Sequence, residues 1–155
     1  MRKILLAVLL LSSFVFAETY HVSKDEIGLI RKVKVYKAPT WIASIKVRSG
    51  KEIFFCSPKS MFEFYHRPGK WPEYNVKSDS DMRIYVTDFI SLDKIKGRDA
   101  FYVYGSTSTS PAGDDLVAFK SKKEAQRFAD KNSGKRVFAF SDVSSALVNY
   151  LNGNL

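Results

Sequence analysis

A strand-to-helix junction that occurs twice, 64 residues apart, is the feature that most restricts how this chain can fold. Ile-Phe-Phe-Cys-Ser at 53–57 aligns with Val-Ala-Phe-Lys-Ser at 117–121. Both copies combine β-branched and aromatic residues, which favour strands, with a serine that is well suited to begin a helix. Each junction is followed by helical apolar spacing, a loop and another strand-like segment. The repeat therefore predicts an α+β fold of two ββαβ-like units, about residues 30–90 and 98–155, packed as one globular domain.

Three helices are predicted from apolar spacing and capping residues. Ser57 is a suitable N-cap, and Pro58 fits the first helical position, where its missing N–H would have no partner. Ser121 and Glu124 form a capping-box pattern at the start of the second helix. Ser141 is predicted to cap the third helix, whose apolar stripe follows helical spacing at Val143, Ala146, Leu147, Tyr150 and Leu151.

Several segments have the composition of strands, rich in β-branched and aromatic residues between turn signals. They lie at 30–36, 41–47, 52–56, 82–88, 101–104, 116–119 and 136–140. The segment 101–104 is apolar without interruption, which predicts a strand covered on both faces. The segments 69–81 and 106–115 are predicted to be long loops, because turn-forming and small polar residues dominate them.

The N-terminus is predicted to be a cleaved secretion signal over residues 1–17. Two basic residues precede an apolar run at 4–11, and Val15 and Ala17 occupy the small-residue positions of a signal-peptidase site. The run is too short to span a bilayer, although an uncleaved N-terminal anchor is the alternative. Cleavage would leave a soluble periplasmic or otherwise exported protein, with a flexible polar segment at 18–29 before the domain.

The formal net charge is +9, from 25 Lys and Arg residues against 16 Asp and Glu residues. The basic residues are spread along the chain in blocks of no more than three, which is typical of a solvated basic surface. Export argues against nucleic acid as a partner. The alternative use of this charge is contact with an acidic partner protein or peripheral contact with an anionic membrane.

Motifs typical of catalytic sites are absent from the sequence. It contains neither a Gly-x-Ser-x-Gly nucleophile elbow, nor a phosphate-binding glycine loop, nor a His-Glu-x-x-His zinc motif. His21 and His66 are the only histidines, and His21 lies in the polar N-terminal segment. The sequence therefore predicts a protein that is not an enzyme.

Cys56 is the single cysteine, so an intramolecular disulfide is impossible. It lies at a strand end directly before the helix cap, and Met61 follows five residues later. A thiolate and a thioether are soft donors that prefer Cu(I) to hard cations, so this pair is predicted to bind Cu(I). His66 near the end of the same helix and Met82 in the next strand are weaker candidate ligands. The alternative is that Cys56 and Met61 are buried apolar residues of the core.

A series of motifs in the second half of the chain points to a family. The motifs are Tyr-Val-Thr-Asp-Phe at 85–89, Ala-Phe-Tyr-Val-Tyr-Gly-Ser at 100–106, Ser-Pro-Ala-Gly-Asp-Asp-Leu-Val-Ala-Phe at 110–119, Lys-Glu-Ala-Gln-Arg-Phe-Ala at 123–129 and Gly-Lys-Arg-Val at 134–137. Their succession resembles the NosL family of exported accessory proteins of nitrous oxide reductase. The resemblance covers about residues 33–143, and it implies a NosL-like domain of two ββαβ-like units at 30–155.

The resemblance also implies binding of Cu(I) and, as partner, a periplasmic copper enzyme or copper donor protein. Family members carry a cysteine near the mature N-terminus and a methionine in a Ser-Pro-Met-Gly loop as copper ligands. Here residues 18–35 contain no cysteine, and Ala112 stands at the loop position. Two hypotheses stay open. Either Cu(I) is bound by Cys56 with Met61, or the protein is a metal-free periplasmic interaction module that keeps the NosL scaffold.

Overall fold

The computed structural model describes residues 17–154 of the chain, with its strands and α-helices between residues 43 and 151. The predicted signal segment lies outside these residues except for Ala17. The α-helices are α1 (Pro58–His66), α2 (Lys122–Lys131) and α3 (Ser145–Leu151), and none of them is long and apolar enough to cross a bilayer. The strands are β1 (Ala43–Val47), β2 (Glu52–Phe55), β3 (Met82–Thr87), β4 (Lys94–Lys96), β5 (Phe101–Ser110), β6 (Gly113–Phe119) and β7 (Arg136–Ala139).

Each unit contributes three strands to one antiparallel sheet, and these three strands have the same order in both sheets, while β4 is an additional edge strand of the first. The first sheet has the order β2-β1-β3-β4, and the second has the order β6-β5-β7. The first strand of each unit is therefore central, with its hairpin partner on one side and the strand that follows the helix on the other. This arrangement confirms the predicted α+β fold of two ββαβ-like units.

The inner faces of both sheets meet α1 and α3 in one main hydrophobic core. Ile45 of β1, Ile84 of β3 and Leu116 of β6 are buried there beside Met61 and Phe62 of α1. The helix α1 lies among the first sheet, β6 and α3, and six of its nine residues are buried. Both ends of α1 are thus held in place by neighbouring elements.

The helix α2 covers the opposite face of the second sheet, where a smaller core forms. Val103 points to this side, whereas the preceding Tyr102 points to the main core. Phe119 and Phe128 pack in the smaller core with ring centroids 5.0 Å apart. The segment 101–104 is therefore covered on both faces, as its uninterrupted apolar sequence predicts.

The predicted starts of the first two helices are confirmed, and that of the third is wrong. The Ser57 hydroxyl accepts a hydrogen bond from Ser60 N–H at 3.1 Å, and Ser121 accepts one from the Glu124 N–H at 3.2 Å. The helix α3 is capped by Ser144 instead of Ser141, because residues Phe140–Asp142 form a 3-10 turn that directs the Phe140 ring into the core.

The predicted strand at 30–36 is not formed. Lys32 has a φ of 54°, which breaks the extended conformation, and residues Val35–Lys37 form a 3-10 turn. A single isolated bridge joins Ile27 to Lys34. Residues 32–34 are exposed, so this segment lacks the continuous apolar face that would hold a strand against the core.

A long hairpin of β5 and β6 replaces the loop predicted at 106–115. The pairs Thr109–Asp114 and Ser110–Gly113 continue the ladder beyond a shift of register after Tyr104. Residues near the tip are mostly exposed or half-buried, so they need no apolar side chains. Their polar composition therefore resembles that of a loop.

The segment 18–29, predicted to be flexible, lies against the outer face of the first sheet. The backbone N–H of Lys94 donates to the carbonyl of Glu18 at 2.6 Å. The Tyr20 hydroxyl lies 3.0 Å from the Ser44 hydroxyl of β1. The partly buried Tyr20 side chain holds this segment against the sheet. Its burial raises the pKa of the phenol.

Candidate functional site

The helix α1 separates the four candidate copper ligands. Cys56 precedes its N-cap, Met61 lies within it, His66 is its last residue, and Met82 opens β3. An α-helix rises about 1.5 Å per residue, so the two ends of this nine-residue helix lie about 13 Å apart. One copper ion cannot contact ligands at both ends, and a site combining Cys56 with His66 is therefore ruled out.

The N-terminal end of α1 forms a closed corner, which we call the Cys56 corner, around Cys56, Lys59, Ser60 and Asp115. Cys56 is only 2% exposed. Its burial raises the pKa of the thiol, and the carboxylate of Asp115 raises it further, whereas a hydrogen bond with Ser60 acts in the opposite direction. The thiol is consequently protonated at neutral pH, so metal binding there would first have to displace a proton.

Asp115 is a buried carboxylate at the start of α1. One of its oxygens accepts hydrogen bonds from the backbone N–H groups of Lys59 and Leu116, both at 2.8 Å. The other accepts from the Ser110 hydroxyl at 2.7 Å. Burial raises the pKa of this carboxyl, while these hydrogen bonds favour its charged form. The partial positive charge at a helix N-terminus also favours a carboxylate here.

The ammonium group of Lys59 closes the same corner from the other side. Lys59 is 2% exposed, and its Nζ donates to the carbonyls of Ala112 at 2.7 Å and Leu151 at 3.1 Å. Burial lowers the pKa of this lysine, and Asp115 opposes that shift. Ala112 occupies the loop position where the family resemblance implies a methionine. A protein cation therefore already lies at this loop.

Met61 belongs to the main core. It is fully buried, and its backbone N–H donates to the Ser57 carbonyl at 3.1 Å. The structure thus places Met61 among apolar side chains, while the Cys56 thiol lies beside Ser60 in the polar corner.

The C-terminal end of α1 opens into a cleft, which we call the His66 cleft. His66 and Met82 line it together, and its volume is ≈ 310 Å³. The His66 Nε2 lies 2.9 Å from the Val143 carbonyl, and burial lowers the pKa of the imidazole. Its other lining residues are Tyr65, Pro68, Val76, Lys77, Ser78 and Asp79.

Sequence patterns did not identify the charged groups around these two sites. Lys59 and Asp115 lie 56 residues apart in sequence, and neither belongs to a motif that indicates burial. Arg98 donates to the Met82 carbonyl at 3.3 Å and pairs with Asp79 at 3.0 Å. Within residues 17–154, no three or more His, Cys, Asp or Glu side chains are grouped so as to hold a metal ion.

Comparison with known proteins identifies the family. A family model named NosL matches residues 19–148. The chain belongs to the NosL family. Its structure is also similar to the crystal structure of the copper chaperone NosL from Shewanella denitrificans, with a TM-score of 0.69 at 21% sequence identity. The aligned region covers 84% of this chain and 98% of that chain. A search of curated proteins found no match.

Proposed function

We propose that this protein is an exported NosL-type accessory protein that binds Cu(I) and passes it to a copper enzyme such as nitrous oxide reductase. The observation that carries the proposal is the family match over residues 19–148. The similarity of fold over 98% of a chain described as a copper chaperone supports it. The sulfur donors Cys56, Met61 and Met82, together with the imidazole of His66, supply ligand types that suit Cu(I).

Copper delivery would proceed by ligand exchange without catalysis. A site of two or three soft donors leaves room in the coordination sphere of Cu(I) for a donor from the partner. The partner's donor adds first, and a ligand of this protein then leaves. The copper stays in the same oxidation state throughout, so this protein needs no catalytic residue.

The exposed face of α2 is suited to guide an encounter with a partner. Lys122, Lys123, Arg127 and Lys131 are all exposed there. A concentration of positive charge accelerates association with an acidic surface, and salt screens the effect. We therefore expect the copper acceptor to present an acidic patch to this face.

Cu(I) binding can be tested by competition with a chromogenic Cu(I) chelator under anaerobic, reducing conditions. The wild-type protein should withdraw one equivalent of Cu(I) from the chelator complex. The variant Cys56→Ser tests the thiol, and His21→Gln is a matched control because His21 is exposed outside both α1 sites. Absence of Cu(I) binding by the wild-type protein would reject the proposal.

A metal-free interaction module is the second candidate, and the Cys56 corner favours it. There the Cys56 thiol is buried with a raised pKa, and the Lys59 ammonium already donates to the carbonyl of the loop residue Ala112. The contact surface would then consist of the segments 66–81 and 106–115. Reaction of Cys56 with a disulfide reagent measures how closed the corner is. The native thiol should react much more slowly than the thiol of the urea-unfolded chain.

A further inference from the structure

The His66 cleft brings together two of the four candidate donors at the open end of α1. Both donors belong to regular secondary structure: His66 is the last residue of α1, and Met82 is the first residue of β3. We propose that His66 and Met82 bind one Cu(I) ion in this cleft, the identity of the ion resting on the proposed function. The Cys56 corner would then be a structural element of the fold.

Contacts around the imidazole of His66 set its orientation and its tautomer. The Val143 carbonyl can only accept a hydrogen bond, so Nε2 carries the proton in the 2.9 Å contact. In the neutral ring Nδ1 then keeps a free lone pair, and it makes no hydrogen bond among the described residues. The Phe62 ring stacks on the imidazole with centroids 6.0 Å apart. A carbonyl-bound imidazole of this kind resembles the supported histidines of metal sites.

Met82 lines the cleft and is held there by its backbone. It follows the turn Asp79–Asp81, in which the carboxylate of Asp81 accepts from the Ser78 N–H at 3.0 Å. The Met82 carbonyl accepts from Arg98. The residue is 5% exposed, whereas Met61 is fully buried. Of the two methionines in the described chain, only Met82 lines this cleft, and it keeps slightly more exposure than Met61.

The imidazole of His66 and the thioether of Met82 favour Cu(I) over hard cations. A neutral imidazole and a thioether carry no charge, and neither loses a proton on binding. Such a pair suits soft, monovalent Cu(I), while Ca²⁺ and Mg²⁺ require oxygen ligands. The protonated thiol of Cys56 lacks this advantage.

The charges around the cleft permit a monovalent cation. The C-terminal end of a helix carries partial negative charge, and His66 is the last residue of α1. The charge of Arg98 is balanced by Asp79, 3.0 Å away. Arg67 and Lys77 are also nearby, but both are exposed, where solvent and salt screen their repulsion.

Titration of Cu(I) against a chromogenic chelator tests the site in the full chain. The variants His66→Gln and Met82→Leu should each weaken Cu(I) binding by roughly tenfold to a hundredfold or more, since even loss of a supporting group has an effect of that size. The matched controls are His21→Gln, Met61→Leu and Cys56→Ser. All three should bind Cu(I) as the wild-type protein does.

A second measurement uses the wild-type chain, so its result does not depend on whether the variants fold. Methionine methyl groups are labelled with ¹³C, and Ag(I), a redox-inert analogue of Cu(I), is added while NMR spectra are recorded. The Met82 methyl signal should shift on binding, and the Met61 signal should stay in place. Assignment of the two signals comes from the variants Met82→Leu and Met61→Leu.

The outcomes separate this site from the proposed function. If the wild-type protein binds no Cu(I), both proposals fail. If it binds Cu(I) but the affinity depends on Cys56 and not on His66 or Met82, the proposed function survives and the cleft assignment is overturned. A shift of the Met61 methyl alone, or of neither methyl, would also overturn it.

Discussion

The two ends of α1 both carry polar side chains, and they differ in how the hydrogen-bonding capacity of those side chains is satisfied. At the N-terminal end, Asp115 and Lys59 form hydrogen bonds with backbone and side-chain groups of the protein. At the C-terminal end, His66 uses one ring nitrogen for the Val143 carbonyl and leaves the other free beside a cleft. The first end thus has its polar groups satisfied within the protein, whereas the second leaves a ring nitrogen available for the ligand that we propose.

The position of each end in the fold accounts for this difference. The hairpin of β5 and β6 and the end of α3 cover the N-terminal end, where the carbonyls of Ala112 and Leu151 meet Lys59. The segment 67–81 passes the C-terminal end as a series of 3-10 turns that pack less completely. A buried charge must find its partners inside the protein, whereas groups along a cleft can use water or a bound ion.

The largest effect is expected from Asp115→Ala at the closed end. This change leaves two backbone N–H groups without their acceptor and a buried ammonium without its nearby carboxylate. The free energy of unfolding should fall by about 2–5 kcal/mol, because each buried donor left without its acceptor costs about 1–3 kcal/mol. Urea unfolding of both proteins measures the difference.

The matched change at the open end is Asp79→Ala. Asp79 is largely exposed and pairs with Arg98, so its loss should lower the free energy of unfolding by less than about 1 kcal/mol. Equal losses for Asp79→Ala and Asp115→Ala would contradict the distinction between a closed and an open end.

Replacement of the two matched helix caps should have an intermediate effect. Ser57 is fully buried, and Ser121 in the second unit is half-exposed. Each accepts a hydrogen bond from the backbone three residues later. We expect Ser57→Ala to lower the free energy of unfolding by about 1–2 kcal/mol and Ser121→Ala by about 0.5–1 kcal/mol. Thermal unfolding of the two variants, with Ser57→Thr as a control that keeps the hydroxyl, checks the order.

The smallest effect is a pH dependence that arises at the open end. Burial lowers the pKa of His66 in the folded protein. The unfolded chain, with a histidine pKa of about 6.5, therefore binds more protons in the interval between the two values. The contribution of His66 to stability is fully present above about pH 6.5 and is lost as the pH falls below it. Unfolding measured from about pH 7.5 to 5 should show this decline.

His66→Gln should remove that part of the decline, while the exposed His21→Gln should keep it. Identical pH profiles for the wild-type protein and His66→Gln would show that the imidazole is not desolvated, and the open end would then differ less from bulk solvent than the structure indicates.

The repeat of the fold could be predicted from sequence because it depends on local signals. Ser57 and Ser121 each combine a cap with an adjacent strand, and both helices begin where those signals place them. The failures lie where tertiary contacts override local ones. Phe140 enters the core and moves the start of α3 to Ser144. Lys32 adopts a left-handed conformation that its sequence does not indicate.

The sequence predicts the candidate ligand residues but not which of them lie together. The donor types at Cys56, Met61, His66 and Met82 are visible as residues, but their grouping depends on which end of α1 each one occupies. Helical spacing alone does not reveal that β3 brings Met82 to the end of α1 that carries His66. The role of Lys59 was also hidden, since an isolated lysine in sequence normally indicates an exposed side chain.

The two units exchange aspartates at their helix starts, and this exchange makes them interdependent. Asp115 of the second unit accepts from the backbone of Lys59 in the first, and Asp88 of the first accepts from the backbone of Lys120 in the second at 2.8 Å. Either half expressed alone would lose one of these two hydrogen bonds next to the start of its helix. Because the main core also contains side chains of both units, cutting the chain between them should yield fragments that fold only by complementation.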